Sequence, residues 1–190
     1  MKTLKILIIV LFVLLFIVVT LISIHYFSMR ETEKKQLDTA INIISTAQED
    51  EIEIVTKEEL ALNNNVIGIL EIPVLDLIAP VQEGTSEDIL KIAIGHFSES
   101  AFWNGNVAFA SHNRSQHVQY FEKINELQSG DEIIYKTKLG TRTYAVYEIK
   151  IIESTDWSVI ENTNENIVTL ITCINDNPSS RLCIKAKEIS

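Results

Sequence analysis

The pattern of apolar and polar positions divides the chain into an apolar N-terminal segment, a polar segment and a β-rich remainder. Residues 6–24 are almost wholly apolar, interrupted only by Thr20 and Ser23. About 20 such residues can span a bilayer as a helix. A cleaved signal peptide is the competing interpretation, but its apolar region would be shorter and small residues would follow it. Bulky residues follow here, so we predict an uncleaved anchor over residues 6–27, preceded by residues 1–5.

The polar segment at residues 28–62 is rich in Glu, Gln and Thr. Leu37, Ile41 and Ile44 recur at helical spacing, so a short amphipathic helix is one interpretation. We favour a solvated stalk that separates the anchor from a folded domain at residues 63–190.

The pattern changes near residue 63, where short β-like runs alternate with turn residues. The runs that we predict as strands are 66–72, 77–81, 106–111, 133–135, 143–149, 167–172 and 181–189. Residues 139–141 indicate a hairpin, and residues 86–90 and 120–124 look like short helices. Seven or eight strands at this spacing are typical of a closed β-barrel or a sandwich.

Composition narrows the possible functions. The chain has 190 residues, enough for one domain with a real core. Its net charge of −10 argues against non-specific nucleic-acid binding, which needs a basic patch. The two cysteines, Cys173 and Cys183, form no disulfide framework, and with the scattered histidines they match no common metal-ligand spacing. We therefore expect no metal and no cofactor.

Cys173 directly follows the predicted strand 167–172, at a point where side chains leave the sheet and meet solvent. If the last two strands form an antiparallel hairpin, Arg181 lies beside it. A guanidinium there would favour the thiolate and could polarise a carbonyl under attack. The alternatives are a buried, inert cysteine and an arginine at the rim that pairs with Asp176. Cys183 lies inside an apolar run, where we expect a buried thiol.

His112 ends the run at residues 106–111, as Cys173 ends its own run. A thiol, an imidazole and a guanidinium at three strand ends can form a nucleophilic active site. Sequence spacing does not show that His112 meets Cys173. His96 follows another apolar run and could support such a site or belong to the core.

Several stretches resemble the sortases, transpeptidases of Gram-positive cell surfaces. Residues 169–173, Thr-Leu-Ile-Thr-Cys, match the TLxTC motif of that family. Residues 95–97 and 105–112 are similar to the stretch that leads to its essential histidine, and Arg181 matches its essential arginine. Residues 68–73 resemble its first barrel strand, so the similarity covers about residues 63–189. One departure is Ser111, where family members usually carry glycine.

The resemblance implies an eight-stranded β-barrel with short helices and a specific reaction. Cys173 would attack the threonine carbonyl of an LPxTG-like sorting signal on a secreted protein. Arg181 and the backbone N–H of Ile174 would stabilise the oxyanion. His112 would serve as general acid and then as base while the protein is transferred to an amine of the cell wall or its precursor.

The resemblance also carries expectations about supporting residues, class and location. Thr172, His96 and Ser111 become candidates for side chains that support the site. The single apolar span and the short stretch at residues 154–166 favour class D, with class A next. Glu87 and Glu153 could bind calcium, as acids do in some class A enzymes, although we favour solvated acids. Because sortases act outside the cell, the N-terminus would be cytoplasmic and the domain extracellular.

Other functions fit the same residues. A hydrolytic cysteine peptidase, a thiol protease, would use the same cysteine, histidine and arginine. A membrane-anchored β-domain that binds a surface partner would need none of them. A disulfide between Cys173 and Cys183 would consume the nucleophile.

Overall fold

A computed structural model describes residues 2–47, 66–114, 118–174 and 177–190, and it begins with one long helix, α1 (Lys2–Ala47). Within α1, the stretch Leu11–Ser28 has a mean hydropathy of 2.4 and is long and apolar enough to cross a membrane. Residues up to Lys35 form one compact unit, and residues from Gln36 onward form a second.

The predicted stalk differs from the structure in its first part. Residues 28–47 are helical, and in the second unit Leu37 and Ala40 pack against Val66 and Ile69. This packing matches the amphipathic-helix interpretation better than a solvated stalk. Residues 48–62 of the stalk lie outside the described residues.

The second unit contains eight strands that close into a barrel in the order β1-β2-β3-β4-β7-β8-β6-β5. The strands are β1 (Val66–Ile72), β2 (Leu77–Glu83), β3 (Ile94–His96), β4 (Asn106–Ala110), β5 (Glu132–Thr137), β6 (Gly140–Glu153), β7 (Ile167–Ile174) and β8 (Asn177–Glu188). The β2–β3 and β4–β7 pairs are parallel, and the other pairs are antiparallel. The barrel, rather than the sandwich, is confirmed.

Three local predictions differ from the structure. Strand β3 was not predicted, because three residues are too few to show a period of two. The helix expected at residues 120–124 is a turn followed by a short 3₁₀ helix, Ile124–Glu126. Strand β8 begins at Asn177, before the predicted start at residue 181. The helix expected at residues 86–90 is present as α2 (Glu87–Leu90).

The sheet formed by β4, β7 and β8 buries apolar side chains on both faces. Phe109, Leu170 and Ile184 point into the barrel core. Ile171 and Cys183 point outward into a second cluster, which the connection between β6 and β7 covers. Burial on both faces explains why residues 167–172 are apolar or small almost without interruption.

One asparagine holds that covering connection in place. Asn106, at the start of β4, is fully buried. Its Nδ2 donates to the carbonyls of Val159 and Glu161, at 2.9 Å and 3.0 Å, and its Oδ1 accepts from Thr169 Oγ1 at 2.7 Å. Replacing this side chain by an apolar one would remove the partner of the buried Thr169 hydroxyl and of the Val159 and Glu161 carbonyls.

We expect Asn106→Ala to lower the free energy of unfolding by about 3 kcal/mol, because each unsatisfied buried group carries a desolvation cost. Thermal unfolding of the full chain in detergent should show a Tm lower by about 6–12 °C. Asn104→Ala is the control, because Asn104 is exposed. The Tm of this variant should differ from that of the wild type by about 2 °C or less. Equal shifts in the two variants would contradict the buried network.

Candidate active site

The hairpin of β7 and β8 places Cys173 opposite Arg181. The two residues are Cα partners in the antiparallel register, which confirms the predicted hairpin. Side chains of such a pair share one face, with Cβ atoms about 4.5–5.5 Å apart. Cys173 is exposed and Arg181 is half-buried. The Cys173 thiol is therefore exposed to solvent, and Arg181 lies opposite it on the neighbouring strand.

The parallel pairing of β4 and β7 directs the chain at His112 toward the rim of the barrel that carries Cys173. The last pair in this register is Ala110 with Ile171, so two further steps along both chains lead to His112 and Cys173. Thr172 Oγ1 donates to the Ser111 carbonyl at 2.7 Å. This bond continues the pairing past the end of β4. This register directs His112 and Cys173 to the same rim of the barrel, a relation that sequence spacing did not show.

A second side-chain bond links the same two chain ends. Asn113 Nδ2 donates to the carbonyl oxygen of Cys173 at 2.6 Å. His112 therefore lies between two residues that are each bonded to β7. Sequence reasoning did not find Asn113, because an amide after a histidine has no signal of its own in a single sequence.

Among the described residues, the carboxylate of Glu87 lies near His112. Its Nε2 lies 3.8 Å from Oε2 of Glu87 in α2, and it has no hydrogen-bond partner within the described residues. The imidazole is 21% exposed and the Glu87 side chain 67%. The ring is therefore sheltered, and it has an ion-pair partner whenever it is protonated.

Arg181 is held along its own strand. Its Nη1 donates to the carbonyls of Pro178 and Ser180, both at 2.8 Å. The alternative partner, Asp176, lies outside the described residues. These bonds use one of the three guanidinium nitrogens, and the group carries five N–H donors in all.

The two cysteines differ sharply. Both are free. Cys183 pairs with Ile171, so it is a diagonal neighbour of Cys173, about 7–8 Å away and too far for a disulfide. Burial is the main reason that the pKa of the Cys183 thiol is raised to about 11. Cys183 is thus an inert core thiol, as its sequence context predicted.

His96 is a core residue in this structure. It is fully buried, and its Nδ1 lies 2.6 Å from Oε2 of Glu83. Its Nε2 lies 2.9 Å from the Ala101 carbonyl and 3.1 Å from Ser100 Oγ. Its ring also meets Phe109 edge-on at 6.0 Å. These contacts fix the connection between β3 and β4.

Ser111 is also buried, and its side chain does not orient the imidazole. Its Oγ has no hydrogen-bond partner within the described residues. Its contribution to the site comes through its backbone carbonyl, which accepts the bond from Thr172. Of the three candidate supporting residues, Thr172 therefore has the most direct link to the histidine.

A cleft lies on the outer face of the same sheet. Its volume is about 450 Å³, and it is lined by Thr85, Phe97, Glu99, Trp157, Ile160 and Glu161. Phe97 and Ile160 pack in one cluster with Ile171, two residues before Cys173 on the same face. The cleft thus offers an apolar floor and two carboxylates on the face that carries the thiol.

The two acids considered for calcium lie in different settings. Glu87 faces His112, whereas Glu153 pairs with Ser180 where β6 meets β8. Within the described ranges, no group of three or more His, Cys, Asp or Glu side chains is arranged to hold a metal ion.

Comparison with known proteins identifies the family. A family model described as Sortase domain matches residues 70–189, well over half of the chain. The chain belongs to the sortase family. This sortase is 31% identical over 107 residues to Sortase D of Bacillus subtilis, covering 55% of this chain and 52% of that protein. It is 30% identical over 125 residues to Sortase A of Bacillus anthracis, covering 65% and 60% respectively. The chain thus spans about half to three fifths of these relatives' lengths.

Solved structures agree on the fold. Sortase A of Listeria monocytogenes superimposes with a TM-score of 0.60 at 30% identity, covering 67% of this sortase and 89% of that chain. Pilus Island 1 Sortase C2 of Group B Streptococcus gives a TM-score of 0.65 at 20% identity, covering 82% and 98%. The predicted sortase-type barrel is confirmed, while class D over class A stays a prediction.

The contrast between the two thiols can be tested by alkylation of the full chain in detergent at about pH 8 with iodoacetamide. We expect one adduct by intact mass, because Cys173 is exposed and the pKa of Cys183 is raised to about 11 by burial. Cys173→Ala should take up no label until it is denatured, and Cys183→Ala should take up one. Two adducts on the native chain would contradict the burial of Cys183, and none after denaturation without reductant would reveal a disulfide.

Proposed function

We propose that this chain is a membrane-anchored cysteine transpeptidase that cleaves an LPxTG-like sorting signal after its threonine and joins the protein to a cell-wall amine. The observation that carries the proposal is the pairing of Cys173 with Arg181 across β7 and β8, and the β4–β7 register that directs His112 to the same rim supports it. Membership of the sortase family supports the same reaction.

In the first half of the reaction, the Cys173 thiolate attacks the threonine carbonyl carbon of the signal. The carbonyl oxygen becomes an oxyanion, which Arg181 and the backbone N–H of Ile174 stabilise. The C–N bond then breaks, and His112 gives its proton to the departing amine. A thioester between Cys173 and the threonine remains.

In the second half, an acceptor amine attacks the thioester carbonyl. His112, now neutral, takes a proton from the incoming nitrogen. The tetrahedral intermediate collapses, the C–S bond breaks and the Cys173 thiolate leaves. The net result exchanges one amide for another, and the thiolate and the imidazolium are both restored.

The cleft lined by Phe97, Trp157 and Ile160 supports a peptide substrate. Phe97, Trp157 and Ile160 can cover the apolar leucine and proline of a sorting signal. The ring of Phe97 meets Trp157 edge-on at 6.1 Å, so part of this wall is formed by packed aromatic rings. A signal bound here would run along the outer face toward Cys173.

The apolar stretch Leu11–Ser28 is long enough to cross a membrane and supports membrane anchoring. Lysines before it and basic residues after it leave orientation undecided by charge. The reaction decides it, because sorting signals and cell-wall amines meet outside the cell. We therefore propose that the N-terminus lies in the cytoplasm and the barrel on the outer surface of a Gram-positive cell. We also propose that the chain is a class D sortase.

The test uses the full chain in detergent with a fluorescence-quenched peptide panel of the form Leu-Pro-x-Thr-Gly and Leu-Pro-x-Thr-Ala, with and without triglycine or diaminopimelate. Cys173→Ala should lose turnover and form no thioacyl adduct, because no other described thiol is exposed. His112→Ala and Arg181→Lys should each reduce kcat by about 100-fold or more. Mass spectrometry should detect the new amide.

Three results would count against the proposal. Turnover that survives in Cys173→Ala would place the nucleophile elsewhere. Cleavage without an amide product at any acceptor concentration would indicate a hydrolytic peptidase. Binding of the panel without cleavage by the wild-type chain would indicate a binding domain. Unchanged thermal unfolding of Cys173→Ala is the control for folding.

A further inference from the structure

We propose that Asn113 is a positioning residue for this reaction, because its side-chain amide orients the peptide group between Cys173 and Ile174. The contact is the 2.6 Å hydrogen bond from Asn113 Nδ2 to the Cys173 carbonyl. As a positioning role in catalysis, the inference rests on the proposed function.

The bond lies where the regular ladder has ended. Strand β4 makes its last pair with β7 at Ala110 and Ile171. Beyond that pair, backbone hydrogen bonds of the parallel ladder no longer hold the two chains at a set distance. Two side chains replace them: Thr172 reaches from β7 to Ser111, and Asn113 reaches back to β7. The two bonds run in opposite directions and enclose His112.

The acceptor of the Asn113 bond belongs to the nucleophile itself. In a trans peptide group, the carbonyl and the following N–H lie in one plane and point in opposite directions. A donor that fixes the Cys173 carbonyl therefore also fixes the direction of the Ile174 N–H, the proposed oxyanion donor. A hydrogen bond to the carbonyl also polarises the group and strengthens its N–H as a donor.

The local backbone makes such a restraint necessary. The β7–β8 register shifts between Cys173 and Ile174: the Cα partner of Cys173 is Arg181, whereas that of Ile174 is Asn177, so residues 178–180 of β8 are skipped. Where the register shifts, the ladder is locally disrupted and restrains the peptide group between Cys173 and Ile174 less tightly. The side chain of Asn113 is half-buried, and its amide supplies a fixed donor from the neighbouring chain end.

The test compares Asn113→Asp with Asn104→Asp in the full chain in detergent. The aspartate at 113 keeps the shape of asparagine but presents a carboxylate that cannot donate when ionised. Asn104 is the matched control, because its Oδ1 accepts from Arg142 Nη2 at 2.8 Å before β4 begins. A carboxylate there keeps the bond and adds the same charge at the other end of β4. Asn113→Ala removes the donor without adding charge.

We expect kcat on the peptide panel to fall by about 100-fold in Asn113→Asp and about 10-fold in Asn113→Ala, with KM within about twofold of wild type. A positioning role predicts this split, because the bond acts on the reacting geometry rather than on the bound peptide. Asn104→Asp should retain wild-type kcat. Wild-type kcat in both Asn113 variants, an equal loss in Asn104→Asp, or a change in KM alone would overturn the proposal.

A second measurement does not depend on turnover. The chain has two cysteines, each followed by isoleucine, at 173–174 and 183–184. Labelling cysteine carbonyls with ¹³C and isoleucine nitrogens with ¹⁵N therefore gives two correlated NMR signals. In Asn113→Asp the 173–174 signal should shift in both nuclei, while the 183–184 signal, in the middle of β8, should stay in place.

The two measurements distinguish failure of the proposed function from failure of the proposed role of Asn113. If the wild-type chain turns over none of the peptides, the proposed function fails. The NMR signals alone then test the hydrogen bond from Asn113 to the Cys173 carbonyl. A 173–174 signal that does not move, or a shift of equal size in both signals, overturns the role of Asn113. The selective shift supports it, and the melting temperatures of all variants monitor folding.

Discussion

The parallel pairing of β4 with β7 is the constraint on which the rest of this site depends. Five consecutive pairs, from Asn106 with Ile167 to Ala110 with Ile171, align the two strands so that both end at one rim of the barrel. His112 lies two residues after the end of β4, and Cys173 is the second-last residue of β7. Any slip of this register by one residue would turn one of the two side chains to the opposite face.

The same pairing also explains the unusual apolar content of β7. Its inward residues fill the barrel, and its outward residues contact the connection that covers the outer face. Asn106, the first residue of β4, holds that connection through two hydrogen bonds of its side chain. One strand pair thus supports the core, the wall of the cleft and the position of the nucleophile, so the stability of the domain and the geometry of its site are linked.

Beyond the last backbone pair of β4 and β7, hydrogen bonds of polar side chains connect the two chain ends. Thr172 and Asn113 bond across the gap between the two chain ends, and Arg181 is held by carbonyls of its own strand. Each of these bonds uses a neutral backbone acceptor. The reactive groups therefore stay within reach of a substrate while the backbone around them is restrained. A site of this kind combines an exposed thiol with a fixed framework.

The sequence by itself determined the barrel strands with clear alternation or apolar runs, the hairpin that pairs Cys173 with Arg181, and the burial of Cys183. These features depend on local periodicity and on short connections, which a single sequence records. It also carried the residues that resemble a sortase. It did not reveal β3, whose three residues are too short to show a pattern. Nor did it show that α1 packs Leu37 and Ala40 onto the strand β1.

Only the tertiary structure decided that His112 and Cys173 lie at the same rim of the barrel, that His96 belongs to the core, and that Asn113 bonds to the carbonyl of Cys173. Parallel strands need a long connection, and β4 and β7 are separated by two other strands in the chain. Their register is set by packing on both faces of the sheet and not by any local signal. Contacts between residues about 60 positions apart arise from that packing, which is why spacing along the chain does not contain them.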